Sequence, residues 1–164
     1  MYSHERSCNM TILVLSDSHG CISNMELAVE KVSPDMIFHL GDCWADAEAL
    51  QEIYPRIPFH HVPGNCDFRP LEAAEELLCV QGVRILLCHG HTYGVKQTLL
   101  RAGYRAQEAD LDLFLFGHTH MPLVDKKGKT WFVNPGSIGR GGRPTYATIT
   151  IEDGKLNPHT AFLY

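Results

Sequence analysis

Five short aliphatic runs in this chain each end on a loop that pairs glycine with aspartate, asparagine or histidine. Thr11–Ser16 is followed by Asp17-Ser18-His19-Gly20, Met36–Leu40 by Gly41-Asp42, and Phe59–Val62 by Pro63-Gly64-Asn65-Cys66-Asp67. Val83–Cys88 runs into His89-Gly90-His91, and Leu111–Phe116 into Gly117-His118-Thr119-His120. Short apolar runs bounded by turn-forming residues read as buried strands. Such strands deliver their polar side chains at their carboxyl ends, where open α/β sheets bind ligands.

The segments between these runs read as helices and hairpins. Asn24–Val32 carries Met25, Ala28, Val29 and Val32 at helical spacing and closes at Ser33-Pro34, while Ala45–Ile53 precedes Pro55. A proline disfavours helix in the residue before it, so both helices stop there. Two βα units predict a parallel sheet, and taken alone they suggest a single doubly wound one. From Leu77 the pattern changes, because Leu77–Val80 and Val83–Cys88 flank Gln81-Gly82, a connection suited to an antiparallel hairpin. A helix is expected over Val95–Ala109, and a hairpin of Leu123–Asp125 with Thr130–Val133 around Lys127-Gly128. Beyond the glycine-rich loop Asn134–Arg143, Tyr146–Ile151 and Lys155–Leu163 form a last antiparallel pair about Asp153-Gly154. With no internal repeat or linker, residues 1–164 read as a single domain, with residues 1–10 as a flexible N-terminal extension.

Charge and composition exclude several classes of function. Lysine and arginine number 14 against 19 acidic residues, a net charge of −5, and no basic run is present, so strong duplex nucleic-acid binding is not expected. No apolar stretch approaches the length of about 18 residues needed to span a bilayer, and residues 1–10 lack a signal peptide's apolar core. The six cysteines show no CxxC spacing and read as reduced thiols. A cytoplasmic protein without membrane partners is the expectation.

Asp17 with His19, and His118 with His120, each stand two residues apart and can offer a cation ligands from one loop. Mixed oxygen and nitrogen donors suit Mn, Fe, Co, Ni or Zn better than Mg or Ca, and the absence of sulfur donors argues against a structural zinc. Asp42 follows Gly41, which has no side chain to block approach, and is the natural carboxylate to bridge two ions. Each motif alone is weak, since an isolated DxH or GD usually marks a turn. Their ordered occurrence, each after an expected strand, is what carries the argument.

That ordered set, DxH, GD, GNxD, a strand-ending histidine and GHxH, resembles the calcineurin-like metallophosphoesterase superfamily. Gly64-Asn65-Cys66-Asp67 resembles its small bacterial and archaeal phosphodiesterase branch, to which the eukaryotic retromer small subunit is also similar. The resemblance spans about residues 11–151 and includes Asn134-Pro135-Gly136-Ser137. It implies a four-layer α/β/β/α sandwich of two mixed β-sheets in place of one doubly wound sheet. It implies two divalent ions, manganese foremost, with Asp17, His19 and His120 on the first, Asn65, His89 and His118 on the second, and Asp42 on both. The implied activity is hydrolysis of small phosphodiesters by in-line attack of a metal-bridging hydroxide, with Asp42, Asn65, Cys66, Asp67 and His91 in the catalytic set. A homo-oligomer is compatible with it.

Cys66 stands where many superfamily members carry a histidine. A thiol with pKa near about 8.5 protonates a leaving group poorly, so aryl esters should turn over better than alkyl esters. Arg140 and Arg143 are candidates for a substrate phosphate. His4, His39, His60, His61 and His159 read as structural or incidental. The competing reading, from another class, is a catalytically weak scaffold or protein-interaction module of the same fold. Its mark would be eroded ligands, whereas His89 and the complete His118-Thr119-His120 are retained.

Overall fold

The computed structural model describes residues 9–69 and 71–164. In chain order its elements are β1 Met10–Leu15, α1 Ile22–Val32, β2 Met36–His39, α2 Trp44–Ile53, β3 Phe59–His61, β4 Glu75–Val80, β5 Val83–Cys88, a 3₁₀ turn at His91–Tyr93, α3 Leu100–Glu108, β6 Leu113–Leu115, β7 Pro122–Lys127, β8 Thr130–Pro135, β9 Thr145–Glu152 and β10 Lys155–Phe162. The strands form two five-stranded sheets in the orders β10-β9-β1-β2-β3 and β4-β5-β6-β8-β7. Both are mixed: β1, β2 and β3 run parallel while β9 lies antiparallel to β1, and β5, β6 and β8 run parallel while β4 and β7 flank them antiparallel.

Why the chain makes four layers is visible along β1. Successive side chains of a strand point to opposite faces. Ile12 and Val14 pack inward with Phe38, Ile85, Leu87, Leu113 and Leu115, the layer between the sheets. Leu13 and Leu15 point outward onto Met25, Ala28 and Val29 of α1 and Leu50 of α2. On the second sheet Leu86, Phe114 and Phe132 take Ala102 and Ala106 of α3. Strands covered on both faces must be apolar throughout, which is why these runs do not alternate. The result is the α/β/β/α sandwich, and the single doubly wound sheet is corrected: the segment from Glu75 to Pro135 builds a second sheet that closes the inner face of the first.

Other expectations shift at element boundaries. The helix expected over Val95–Ala109 starts at Leu100, after a 3₁₀ turn and a left-handed Gly94 at φ +63°. Val95 is instead a buried plug beside Phe116, and Thr98 Oγ1 accepts from Leu100 N at 3.2 Å as the helix begins. β4 starts at Glu75, two residues before the expected Leu77, and β6 is confined to Leu113–Leu115. The expected N-terminal extension falls on residues 1–8, outside the described residues, and Asn9 and Met10; Met10 already belongs to β1, opposite Ile151. Among the described residues no helix is long and apolar enough to cross a membrane.

Candidate metal centre

The exits of β1, β2 and β3 from one sheet and of β5 and β6 from the other meet at one edge of the sandwich. Two glycines make the approach possible. A Cβ on Gly64 would lie 2.0 Å from Asp42 Oδ1, and a Cβ on Gly117 would lie 2.1 Å from Ser16 Oγ and 2.8 Å from Asp17 Oδ2. Any side chain at either position would displace a carboxylate. Asp17, His19, Asp42, His118 and His120 all have positive φ, from 44° to 69°. Such backbone strain, about 1–3 kcal/mol per residue, persists only where surrounding contacts over-determine it, and it clusters at functional sites.

Those contacts orient both carboxylates. Asp17 Oδ2 accepts from Ser16 Oγ at 2.6 Å and from His118 N at 3.1 Å. Its Oδ1 is left facing His120 Nε2 at 3.0 Å, with His19 Nε2 and His89 Nε2 each at 3.9 Å. Asp42 repeats the arrangement, with Oδ1 accepting from Cys66 N at 3.0 Å. Its Oδ2 lies 3.5 Å from His89 Nε2 and 4.0 Å from His19 Nε2, between the two imidazoles. The donor atoms form two overlapping groups, Asp17/His19/His120 and Asp17/Asp42/His89, each within 4.8 Å throughout.

His89 reports the charge this cavity requires. Its Nδ1 lies 2.8 Å from Leu40 O, and because a carbonyl only accepts, Nδ1 carries a proton, which leaves Nε2 as the nitrogen that can offer a lone pair to a metal ion. That Nε2 is buried and has no hydrogen-bond partner, yet it faces two carboxylates. A lone pair among anions in a closed space calls for a cation, and the residues present fit a divalent metal ion. The two carboxylates favour positive charge at this ring. Burial alone would raise Asp42 and lower His89, but their mutual contact and the Cys66 N–H hold Asp42 below the usual carboxylate range and hold His89 above the usual imidazole range. Burial, and then the neighbouring His89, lowers His91 and His118, which keeps both rings neutral and able to donate a lone pair. The His118 ring centroid is 5.0 Å from that of His89, and His91 is 5.5 Å from His89 with its buried Nδ1 unpaired.

The remaining expected site residues are arranged less uniformly. Asn65 and Cys66 are exposed on the loop beside Asp42, with Asn65 Nδ2 3.7 Å from Cys66 Sγ. Partial burial and then Asp42 push the Cys66 thiol up from its ordinary value. Asp67 does not face the donor groups. Its Oδ1 accepts from Cys43 N and Trp44 N at 3.0 and 2.8 Å, and its Oδ2 from Asp42 N and Gly64 N at 3.0 and 2.9 Å. Arg143 is turned to the C-terminal strand, where its Nε donates to Tyr164 O at 2.9 Å.

Sequence reasoning gave no role to several residues that hold the site. Ser16 reads as the end of an apolar strand. Asn134 Nδ2 donates to Gly117 O and Thr119 Oγ1, both at 2.9 Å, and Ser137 Oγ donates to Asp17 O at 2.8 Å, so the Asn134–Ser137 stretch ties the GHxH loop and the Asp17 loop to β8. Asp46 of α2 accepts from Gly20 N at 2.7 Å. His39 lies beneath the first loops, accepting from Gly41 N at 3.3 Å through Nδ1 and meeting Ser18 Oγ at 3.0 Å through Nε2. The NPGS stretch was the one available signal among these.

The two-sheet α/β/β/α sandwich carries at its strand exits a cluster of aspartate and histidine able to hold a divalent metal ion. Residues 10–154 match the model of the calcineurin-like phosphoesterase superfamily domain, and the chain belongs to that family. It is 37% identical over 151 residues to the probable metallophosphoesterase YsnB of Bacillus subtilis, covering 88% of this chain and 86% of YsnB. It is 26% identical to the phosphodiesterase YfcE of Escherichia coli, covering 82% and 84% of the two chains. Among solved structures, a predicted phosphoesterase from Streptococcus pneumoniae superposes with a TM-score of 0.77 at 30% identity, covering 94% of this chain and 90% of that one. Vps29 of Entamoeba histolytica shares the fold, with a TM-score of 0.71 at 19% identity and coverages of 93% and 99%.

Proposed function

We propose that this metallophosphoesterase is a phosphodiesterase that works with two divalent cations and releases its alcohol by in-line displacement with water. The observation that carries the reading is the buried, unpaired His89 Nε2 set against Asp17 and Asp42. In this reading Asp17, His19 and His120 hold one ion and Asn65, His89 and His118 the other. Asp42 Oδ2, between the His19 and His89 nitrogens, serves both. Manganese is the proposed occupant, and Fe, Co, Ni or Zn suit the same donors. Bound ions supply Lewis acidity, neutralising phosphoryl charge and acidifying water.

The chain's own side chains do the rest. Asp17 and Asp42 are the only anionic groups in the proposed ligand set, so a site with two divalent ions stays positive toward a phosphate. His91, at the edge of the donor set, contacts a phosphoryl oxygen. Cys66 keeps its proton at neutral pH because burial and Asp42 raise the thiol, so it is no nucleophile and only a weak proton donor to the departing oxygen. Asp67 positions Asp42 and touches no substrate. The diester preference is supported by the likeness to YfcE, named a phosphodiesterase. Small phosphate esters in the cytoplasm are the proposed substrates, without strong duplex nucleic-acid binding at a net charge of −5, and a homo-oligomer is compatible with the site.

Purified protein should release p-nitrophenolate from bis(p-nitrophenyl) phosphate with Mn²⁺, take up two ions per chain, and lose both properties in His89→Ala. A folded wild type that takes up two ions and turns over no ester would instead favour the scaffold reading, which the shared fold with Vps29 keeps in view. Uptake of no ions would remove the metal centre altogether.

A further inference from the structure

On the His120 side of the donor groups a cleft of about 340 Å³ is lined by His120, Ser137, Gly139, Arg140, Gly141, Gly142 and Arg143. Its floor is locked to the Asp17 loop. Ser137 Oγ donates to Asp17 O at 2.8 Å, and a Cβ on Gly139 would lie 2.8 Å from both Asp17 O and Ser18 O. The cleft therefore stands at a fixed separation from Asp17 and His120.

Arg140 and Arg143 line it and no acidic residue does. Arg143 is immobilised, its Nε on Tyr164 O and its guanidinium 3.9 Å from the Phe162 ring centre. Arg140 has no hydrogen bond or ion pair with any described residue. In a chain of net charge −5, an unpaired arginine beside a second, fixed one is a local reversal of the general field. The planar guanidinium fork matches the oxygens of a carboxylate or phosphate.

We propose that this cleft binds a second anionic group of the substrate, carried on the ester arm that does not leave, with Arg140 as the specificity-determining contact and Arg143 as its fixed flank. The preferred substrates are then phosphodiesters with a negative charge beyond the reacting phosphate. This rests on the phosphodiesterase reading above.

Three p-nitrophenyl diesters with the same leaving group test it: one whose other arm is phenyl, one 4-carboxyphenyl and one 4-phosphonophenyl. The wild type should show a KM about tenfold lower for at least one charged arm than for phenyl. A gain confined to one charged arm identifies the group as carboxylate or phosphonate. In Arg140→Ala the ratio of charged to phenyl KM should return to about one, and Arg140→Lys should recover part of the preference. If all three diesters are hydrolysed with equal KM, the inference is overturned while the phosphodiesterase reading stands. If none is hydrolysed, that reading fails, and metal-free protein still decides the cleft. Titration with 4-carboxyphenylphosphonate and with uncharged benzamide, followed through the amide resonances of Gly141 and Gly142, should show shifts with the first alone, absent in Arg140→Ala. Equal shifts with both probes would also overturn the proposal.

Discussion

Asp67 Oδ2 accepts the backbone N–H of Asp42 at 3.0 Å, so a carboxylate that faces no imidazole fixes the peptide of one that does. Three further N–H groups, from Gly64, Cys43 and Trp44, converge on the same side chain. Asp42 and Cys43 sit at φ +60° and +80°, and this clamp is what sustains that strained pair. Asp67→Ala leaves four N–H groups without their acceptor and should lower stability by about 3 kcal/mol and weaken metal uptake. Asp67→Asn, with one accepting oxygen, should fall between. Urea unfolding and calorimetric Mn²⁺ titration measure both quantities, and an Asp67→Ala protein as stable as wild type would show that the loop holds itself.

Ser16 Oγ lies 2.6 Å from Asp17 Oδ2 and turns the other oxygen toward the histidines. Partners of this kind, one bond removed from a metal, typically change affinity by about 10–100-fold. Ser16→Ala should retain the fold, with the Mn²⁺ dissociation constant raised within that range. Unchanged affinity would mean that the His118 N–H alone orients Asp17.

His39 makes stability pH-dependent. Burial, and then the neighbouring His61, lowers it from 6.5 to about 4, outweighing the nearby Asp46 and Asp67. Because the folded pKa lies below the unfolded one, the unfolded chain takes the proton first. The stability due to neutral His39 is complete above pH 6.5 and is lost as pH falls from there through 4, reaching about 2 kcal/mol by pH 5. Denaturant midpoints at pH 7 and pH 5 should differ accordingly, and His39→Gln should remove this part of the difference. A wild type equally stable at both values would contradict a buried neutral imidazole there.

Cys66 is the position at which this branch departs from the wider superfamily. Cys66→His supplies an imidazolium where the wild type has a thiol that holds its proton. Rates on methyl p-nitrophenyl phosphate, with its acidic leaving group, should change little. Those on dialkyl diesters should rise by about tenfold or more. Equal rises on both esters, or none, would separate Cys66 from leaving-group protonation.

Most strands and the loops carrying the donors were legible because strands covered on both faces must be apolar throughout and must stop where polar loops begin. Val95 was misread because its spacing continues the pattern of α3. Only the packed structure shows it as a plug beside Phe116, with Gly94 at φ +63° separating it from the helix. The resemblance puts Asp67 in the catalytic set, and the direction of its oxygens, toward the Asp42–Trp44 backbone, depends on a loop some 24 residues away in sequence. Ser16 carried no signal, since a serine closing an apolar strand looks like any turn residue.

By itself the sequence determined which residue types stand at each strand exit and in what order, because apolar run length and turn chemistry are local properties. Only tertiary structure decided that Asp17 and His120, 103 residues apart, come within 3.0 Å. It also decided that the lone pair of His89 would be trapped between two carboxylates. Those relations arise from burying two sheets against each other, a non-local process that no short window of residues encodes.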